Sequence, residues 1–255
     1  MSLSISEHLF EYCLRLGDTS LILGHRLSEW CGHGPLLEED IAMTNIALDH
    51  VGQATSLLHY AAQLEGKGRD EDTLAFFRDV AEFRNVLLVE QPNGDFACTM
   101  LRQFFVDAFN FHLYQLLKES KDATLSAIAI KSHKEISYHL RHSSEWVVRL
   151  GDGTVESKKR LENAVQELWM YTGELFEMTQ TDQALIEANI AFSLDEVKPL
   201  WQKQVQETFE RAKLKLPNFN DWMATGSRKG IHSEHLGYLL AEMQVIPRAN
   251  PDAKW

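Results

Sequence analysis

The chain has 255 residues, 44% of them apolar, and a formal net charge of −12. A chain of this length buries roughly 70–75% of its unfolded surface, so its core can hold it together without a disulfide or a metal. The acidic balance excludes nucleic-acid binding through a broad basic footprint, which needs clustered Lys and Arg.

The dominant hydrophobic period is helical and strand signals are almost absent, which predicts an all-α protein. The first helix starts at a Ser4-x-x-Glu7 capping box, runs through Leu9, Cys13, Leu16, Leu23 and Leu27 to Trp30, and carries a candidate kink at Gly17. Gly32-His33-Gly34-Pro35 stops it. The second opens on Glu38, Glu39 and Asp40, acids that suit the positive end of a helix dipole, and continues to about Leu64. A connection from Glu65 to Asp95 is predicted to carry a short helix, Thr73 to Phe83, capped by Asp72, before the turn Pro92-Asn93-Gly94-Asp95. The third helix, rich in Phe, reaches Glu119, and the fourth runs from Thr124 to Leu150. Two hairpins joined by one long crossover is the ferritin-like connectivity. A fifth helix, capped by Thr154, is expected to reach Met178, and a sixth runs from a Ser193-x-x-Glu196 box to Leu214. A last one carries His232 to Gln244. The expectation is a single ferritin-like domain over residues 1–255, with core helices in 5–150 and a helical appendage in 154–255.

Cys13, Cys31 and Cys98 form no C-x-x-C pair and read as buried free thiols of a reducing compartment. The first residues lack a basic segment followed by an apolar run, and no stretch approaches the ~18 apolar residues of a membrane span. A cytoplasmic protein is expected.

Ferritin-like metal bundles take one Glu from each of two helices and a Glu-x-x-His pair from each of the other two. Asp49, Asp107 and Glu135 fall on apolar helix faces at such positions. Yet none of the eleven histidines follows an acid by three residues: Asp49 is followed by Gly52 and Glu135 by Tyr138. The first helix has no carboxylate between Asp18 and Glu29, where Gly24 or His25 occupies the expected depth. Iron needs enough good donors at fixed geometry, so the acids are expected to be vestigial and satisfied by protein neighbours, Glu135 with His139 being one natural pair. No metal and no catalytic residue is assigned to this chain. The rival is a stand-alone iron or manganese carboxylate oxidase with a non-standard ligand set drawn from Asp49, Asp107, Glu135, His25 and His139. Two further clusters are weaker. Gly226-Ser-Arg-Lys-Gly230 puts two cations between glycines, as an anion-binding loop would. His232-x-Glu234-His235 has metal-ligand residues, but adjacent helical positions point apart.

Several strings carry a resemblance: Leu14-Arg-Leu-Gly-Asp18, Leu27-Ser-Glu-Trp-Cys-Gly-His33, Asn45-Ile-Ala-Leu-Asp49, Leu87-Leu-Val-Glu-Gln-Pro-Asn-Gly94, Tyr138-His-Leu-Arg141 and Glu234-His-Leu-Gly237. On these the chain resembles the C subunits of bacterial aerobic phenylacetyl-CoA oxygenases, ring 1,2-epoxidases of phenylacetate degradation. The resemblance implies a structural or regulatory, non-catalytic subunit. Its partner would be a homologous catalytic A subunit that holds the di-iron site, supplied with electrons by a reductase with FAD, [2Fe–2S] and NADPH. It also implies substrate contacts at Glu82, Phe83, Arg84 and Asn85 in the crossover and at Gln183, Ala184 and Leu185 after the fifth helix. Phe83 and Asn85 match the family there, while Glu82, Arg84 and Gln183 depart from it. Asn110 departs from a His of a relative.

Overall fold

The computed structural model describes residues 3–253 and contains no strand among them. Ten α-helices follow in order: α1 (Ile5–Ser28), α2 (Leu37–Glu65), α3 (Glu71–Phe76), α4 (Leu87–Glu90), α5 (Phe96–Leu117), α6 (Ala123–Gly151), α7 (Val155–Leu168), α8 (Gln180–Glu187), α9 (Leu194–Arg211) and α10 (Glu234–Ala249). The fold is an all-α ferritin-like one, with long hairpins α1–α2 and α5–α6 joined by a crossover. The chain divides into two compact units, Met1–Pro92 with Gly226–Trp255, and Asn93–Thr225.

The first unit is built on α1–α2. Ser4 and Glu7 form the expected capping box, with the Glu7 carboxylate accepting from Ser4 N at 2.7 Å and Glu7 N donating to Ser4 Oγ at 3.3 Å. The α1 helix passes through Gly17 unbroken. Glycine is there for approach rather than for a kink: a Cβ would sit 2.9 Å from Leu58 Cδ2 on α2. The turn after α1 is stitched by Asp40, whose carboxylate accepts from Gly32 N at 3.2 Å and Gly34 N at 2.9 Å. Cys31 in that turn is exposed, contrary to the expectation of three buried thiols; Cys13 and Cys98 are buried. In the crossover, α3 is capped by Asp70, which accepts from Thr73 N at 2.8 Å, not by Asp72. It stops at Phe76, short of the predicted Phe83, because Arg78 and Phe83 are both drawn inward, to 2% and 0% exposure. The α10 helix packs on α3 and α4, and Gln244 Nε2 donates to the carbonyl of Arg78 at 3.0 Å.

The second unit is built on α5–α6, with α7 and α9 packed against them. The α5 helix is buried along most of its length, so its polar Thr99, Arg102, Gln103 and Asp107 are all at 0% exposure. Asp95 caps it by accepting from Cys98 N at 3.0 Å. Thr154 caps α7 as expected, but α7 ends at Leu168 and two 3₁₀ turns replace the predicted stretch to Met178. The next helix, α8, was not expected from the sequence; Thr179 and Asp182 form its capping box. Ser193 caps α9 through Asp195 N rather than through Glu196. Trp201 of α9 donates its indole N–H to the Phe105 carbonyl at 2.9 Å, and Phe105 lies 5.8 to 6.1 Å, centroid to centroid, from Trp169, Trp201 and Phe209. Burying such a ring is worth roughly 2–3 kcal/mol, and each favourable ring pair adds about 1 kcal/mol. Within the stretch 154–255, α7–α9 belong to the second unit and α10 to the first.

Candidate functional site

The three carboxylates at metal-site positions have different fates. Asp107 is fully buried on α5; of the stripe expected with it, Met100, Phe104 and Tyr114 are buried and Phe111 is half-buried. Gln103 Nε2, one turn earlier, donates to Asp107 Oδ1 at 2.7 Å, and Ser143 Oγ on α6 donates to Oδ2 at 2.7 Å. A ring nitrogen of His139 lies within 4.8 Å of the carboxylate. Burial pushes the Asp107 carboxyl up to about 6; His139, Ser143 and Gln103 pull it back only in part. Asp49 lies at the flank of α2, half-buried, because the inward face of that helix is set by Met43, Ile46, His50 and Leu57; its expected neighbours Leu48 and Val51 face outward at 63% and 37% exposure. Glu135 is also half-buried, and the inward face of α6 is carried by Ser132, Ile136, His139 and Ser143. Asp18, on α1, is consumed by a buried pair with Arg78 and also accepts from Arg84 N at 2.8 Å.

A di-iron centre does not fit this set. Both oxygens of Asp107 already accept protein hydrogen bonds, two acids stand at helix flanks, and the acid-x-x-His pairs do not exist in the sequence. His139 brings a ring nitrogen within 4.8 Å of Asp107, a carboxylate on the neighbouring helix.

The crossover residues are part of a dense polar network. Phe83 and Asn85 are at 0% exposure, with the Arg78 guanidinium over the Phe83 ring at 4.3 Å. Glu82 caps its own 3₁₀ turn by accepting from Asp79 N at 2.8 Å. Arg84 folds back, Nη1 donating to the carbonyls of Ala81 and Phe83, each at 2.8 Å, with Nε 3.5 Å from Glu11. Arg84 is therefore the cation of this segment, while Phe83 and Asn85 serve as its support. In the second unit, Gln183 is exposed on α8 and donates to Glu187 at 2.8 Å, Ala184 is half-buried and Leu185 is fully buried.

The weaker clusters resolve into structure. Arg228 turns onto the Arg84 carbonyl, 3.5 Å away, and leaves Lys229 exposed, so the two cations of the glycine-flanked loop do not converge. His232 is buried against Glu90, at 3.2 Å, while Glu234 is exposed at the start of α10. The sequence reading missed the Asp18–Arg78 and Glu90–His232 pairs. The available signal was an acid ending the apolar run Leu87-Leu-Val-Glu90, a charge that such a run buries only with a partner. A cleft of about 490 Å³ between α3 and α10, lined by Phe76, Phe77, Ile246 and Pro247, holds none of the predicted site residues. No described helix is long and apolar enough to cross a membrane.

Fold and site together define a ferritin-like helical protein whose fully buried carboxylate, Asp107, accepts from Gln103 and Ser143. By sequence the chain belongs to the family of phenylacetic acid catabolic proteins, whose model matches residues 1–255. It is 49% identical over 249 residues, 98% of this chain and 100% of the relative, to the C subunit of the 1,2-phenylacetyl-CoA epoxidase of Escherichia coli strain K12.

Proposed function

We propose that this chain is the structural, non-catalytic subunit of a phenylacetyl-CoA 1,2-epoxidase. It binds and stabilises a homologous catalytic A subunit, which holds the di-iron centre, and a separate reductase with FAD and [2Fe–2S] passes electrons from NADPH. The observation that carries this reading is Asp107: the one fully buried acid among the vestigial positions gives both oxygens to Gln103 and Ser143. A carboxylate whose two oxygens already accept from protein groups has no free lone-pair direction pre-aimed at a metal. The family membership and the identity with the Escherichia coli epoxidase chain supply the substrate class and the expectation of partners.

We further propose that the crossover around Arg84 meets the CoA thioester. Arg84 is a partly exposed cation held by backbone carbonyls, and a guanidinium so placed suits phosphate through charge-assisted hydrogen bonds.

The test is to express the A subunit alone and with this chain, then assay both preparations with the reductase. Co-elution at micromolar concentration and epoxidation only when this chain is present is the expected result. An interface of this obligate kind typically buries about 2,000 Å² or more and stabilises its partner by mass action. Full activity from the A subunit alone, or separate elution, would refute the role.

A further inference from the structure

The segment leading into α10 returns to the crossover at three points, all within the first unit. Gly230 lies against it: φ is +73°, and a Cβ would sit 2.1 Å from the Ala81 carbonyl oxygen, so glycine is required twice over. Arg228 Nη1 points at the Arg84 carbonyl. His232, its side chain at 0% exposure, sits between two oxygens, with Nε2 3.0 Å from the Phe83 carbonyl and Nδ1 3.2 Å from Glu90 Oε1.

The partners fix the proton count. A carbonyl only accepts, so Nε2 carries hydrogen. Nδ1 then either donates to a Glu90 carboxylate or accepts from a Glu90 carboxylic acid. Both arrangements hold one proton more than neutral imidazole beside carboxylate, which would set two lone pairs against each other without water. One proton is therefore shared between the two side chains.

The neighbouring charges are matched elsewhere. From α1, Arg26 donates to the Glu90 and His235 carbonyls and pairs with Glu29 at 2.8 Å. Within the crossover, Arg78 is paired with Asp18, and Arg84 lies by Glu11. Ser233 lies against the Glu90 carboxylate, and Arg228 is turned to backbone. Burial raises the Glu90 carboxyl, which His232 and Ser233 offset only partly.

We propose that His232 is a positioning residue: sharing one proton with Glu90, it clasps the Phe83–Asn85 backbone of the crossover to the segment before α10, and so sets the place of Arg84. The substrate side of this inference rests on the crossover meeting the CoA thioester. The sign follows from linkage. The clasped form keeps its proton, whereas an imidazole released to water loses it near pH 6.5. The clasp is thus fully held between the ranges of a free carboxylic acid and a free imidazole, about pH 4.3 to 6.5, and weakens as pH rises above them and the pair gives its proton up.

Glu90→Gln separates charge from shape. Its amide N–H can donate to Nδ1 of a neutral His232 while Nε2–H stays on Phe83, so the clasp persists with nothing to titrate. The experiment follows hydrogen–deuterium exchange of residues 80–90 from pH 6 to 9, corrected for intrinsic base catalysis, and KM for phenylacetyl-CoA in the assembled complex over the same range. In the natural chain, protection should fall at least about tenfold and KM should rise at constant kcat, since proton linkage reaches tenfold per pH unit. In the Glu90→Gln chain both should be flat. Equal pH slopes in the two chains would overturn the clasp. A slope in exchange with KM unmoved would overturn the thioester contact while leaving the scaffold role intact. Should Glu90→Gln fail to fold, His232→Gln, which keeps a donor for Phe83 and also cannot titrate, supplies the same comparison.

Discussion

Asp107→Asn tests whether the vestigial acid is a cost that the fold carries. The carboxyl is fully buried and raised by that burial to about 6, from an ordinary 3.8. An acid whose folded pKa is raised is bound to its proton more tightly in the folded state. It costs nothing at pH values below both pKa values; the penalty grows as pH climbs from about 4 to 6 and is complete above that. Two pKa units correspond to about 3 kcal/mol at pH 8, falling to well under about 1 kcal/mol at pH 4. Asparagine keeps an acceptor for Gln103 Nε2. It turns an amide donor toward Ser143 Oγ, whose own hydrogen has a second acceptor in the His139 carbonyl at 3.0 Å. The variant should therefore be more stable than the natural chain at pH 8, by about 3 kcal/mol or some 5–10 °C in Tm for a chain of this size. The gain should nearly vanish at pH 4. Thermal unfolding of both chains across that range measures it. A variant less stable at pH 8, or a gain that does not change with pH, would refute the account.

Three further outcomes follow from the same geometry. The isolated chain, loaded with ferrous iron, should retain far less than one iron per chain; a stoichiometric oxo-bridged di-iron spectrum would sink the scaffold role. Asp18→Asn strands the buried Arg78 charge and should cost about 3–5 kcal/mol, read as a lower denaturant midpoint at unchanged m; a loss under 1 kcal/mol would mean that the pair is not the brace it looks to be. Arg84→Ala should raise KM for phenylacetyl-CoA severalfold in the assembled complex with kcat preserved, the signature of lost binding rather than lost chemistry. An unchanged KM takes Arg84 out of the substrate site.

The long helices were legible because their signals are local. Capping boxes, glycine stops and apolar stripes placed α1, α2, α5 and α6 to within a few residues. Asp107 was legible for the same reason, since its stripe is continuous. What failed needed distance in space. The cap was a local miss, since Asp70 accepts from Thr73 N three residues on, but the end of α3 was not, because nothing nearby in sequence tells that Arg78 and Phe83 both turn inward. Asp49 was assigned one residue off the true inward face, because Leu48 and Val51 look apolar whether or not they are covered. The two buried charge pairs join residues 60 and 142 positions apart, and no periodicity reports that. The lack of acid-x-x-His spacing, by contrast, is a property of the string itself and needed no structure.

The division of the chain carries a consequence for its synthesis. The unit that leaves the ribosome first is interrupted in sequence by the whole of the second unit and closed only by the last stretch, through Gly230, His232, Gln244 and Arg248. The inserted segment, continuous in sequence, has all its own parts as soon as it emerges and can fold on the way out. The split unit must wait for the final helix, with the sides of α3 and α4 that α10 covers left open in the meantime. Such exposed intermediates are where chains aggregate. The finishing step of this protein is therefore a long-range closure, and a premature stop ahead of α10 would leave one unit complete and the other open.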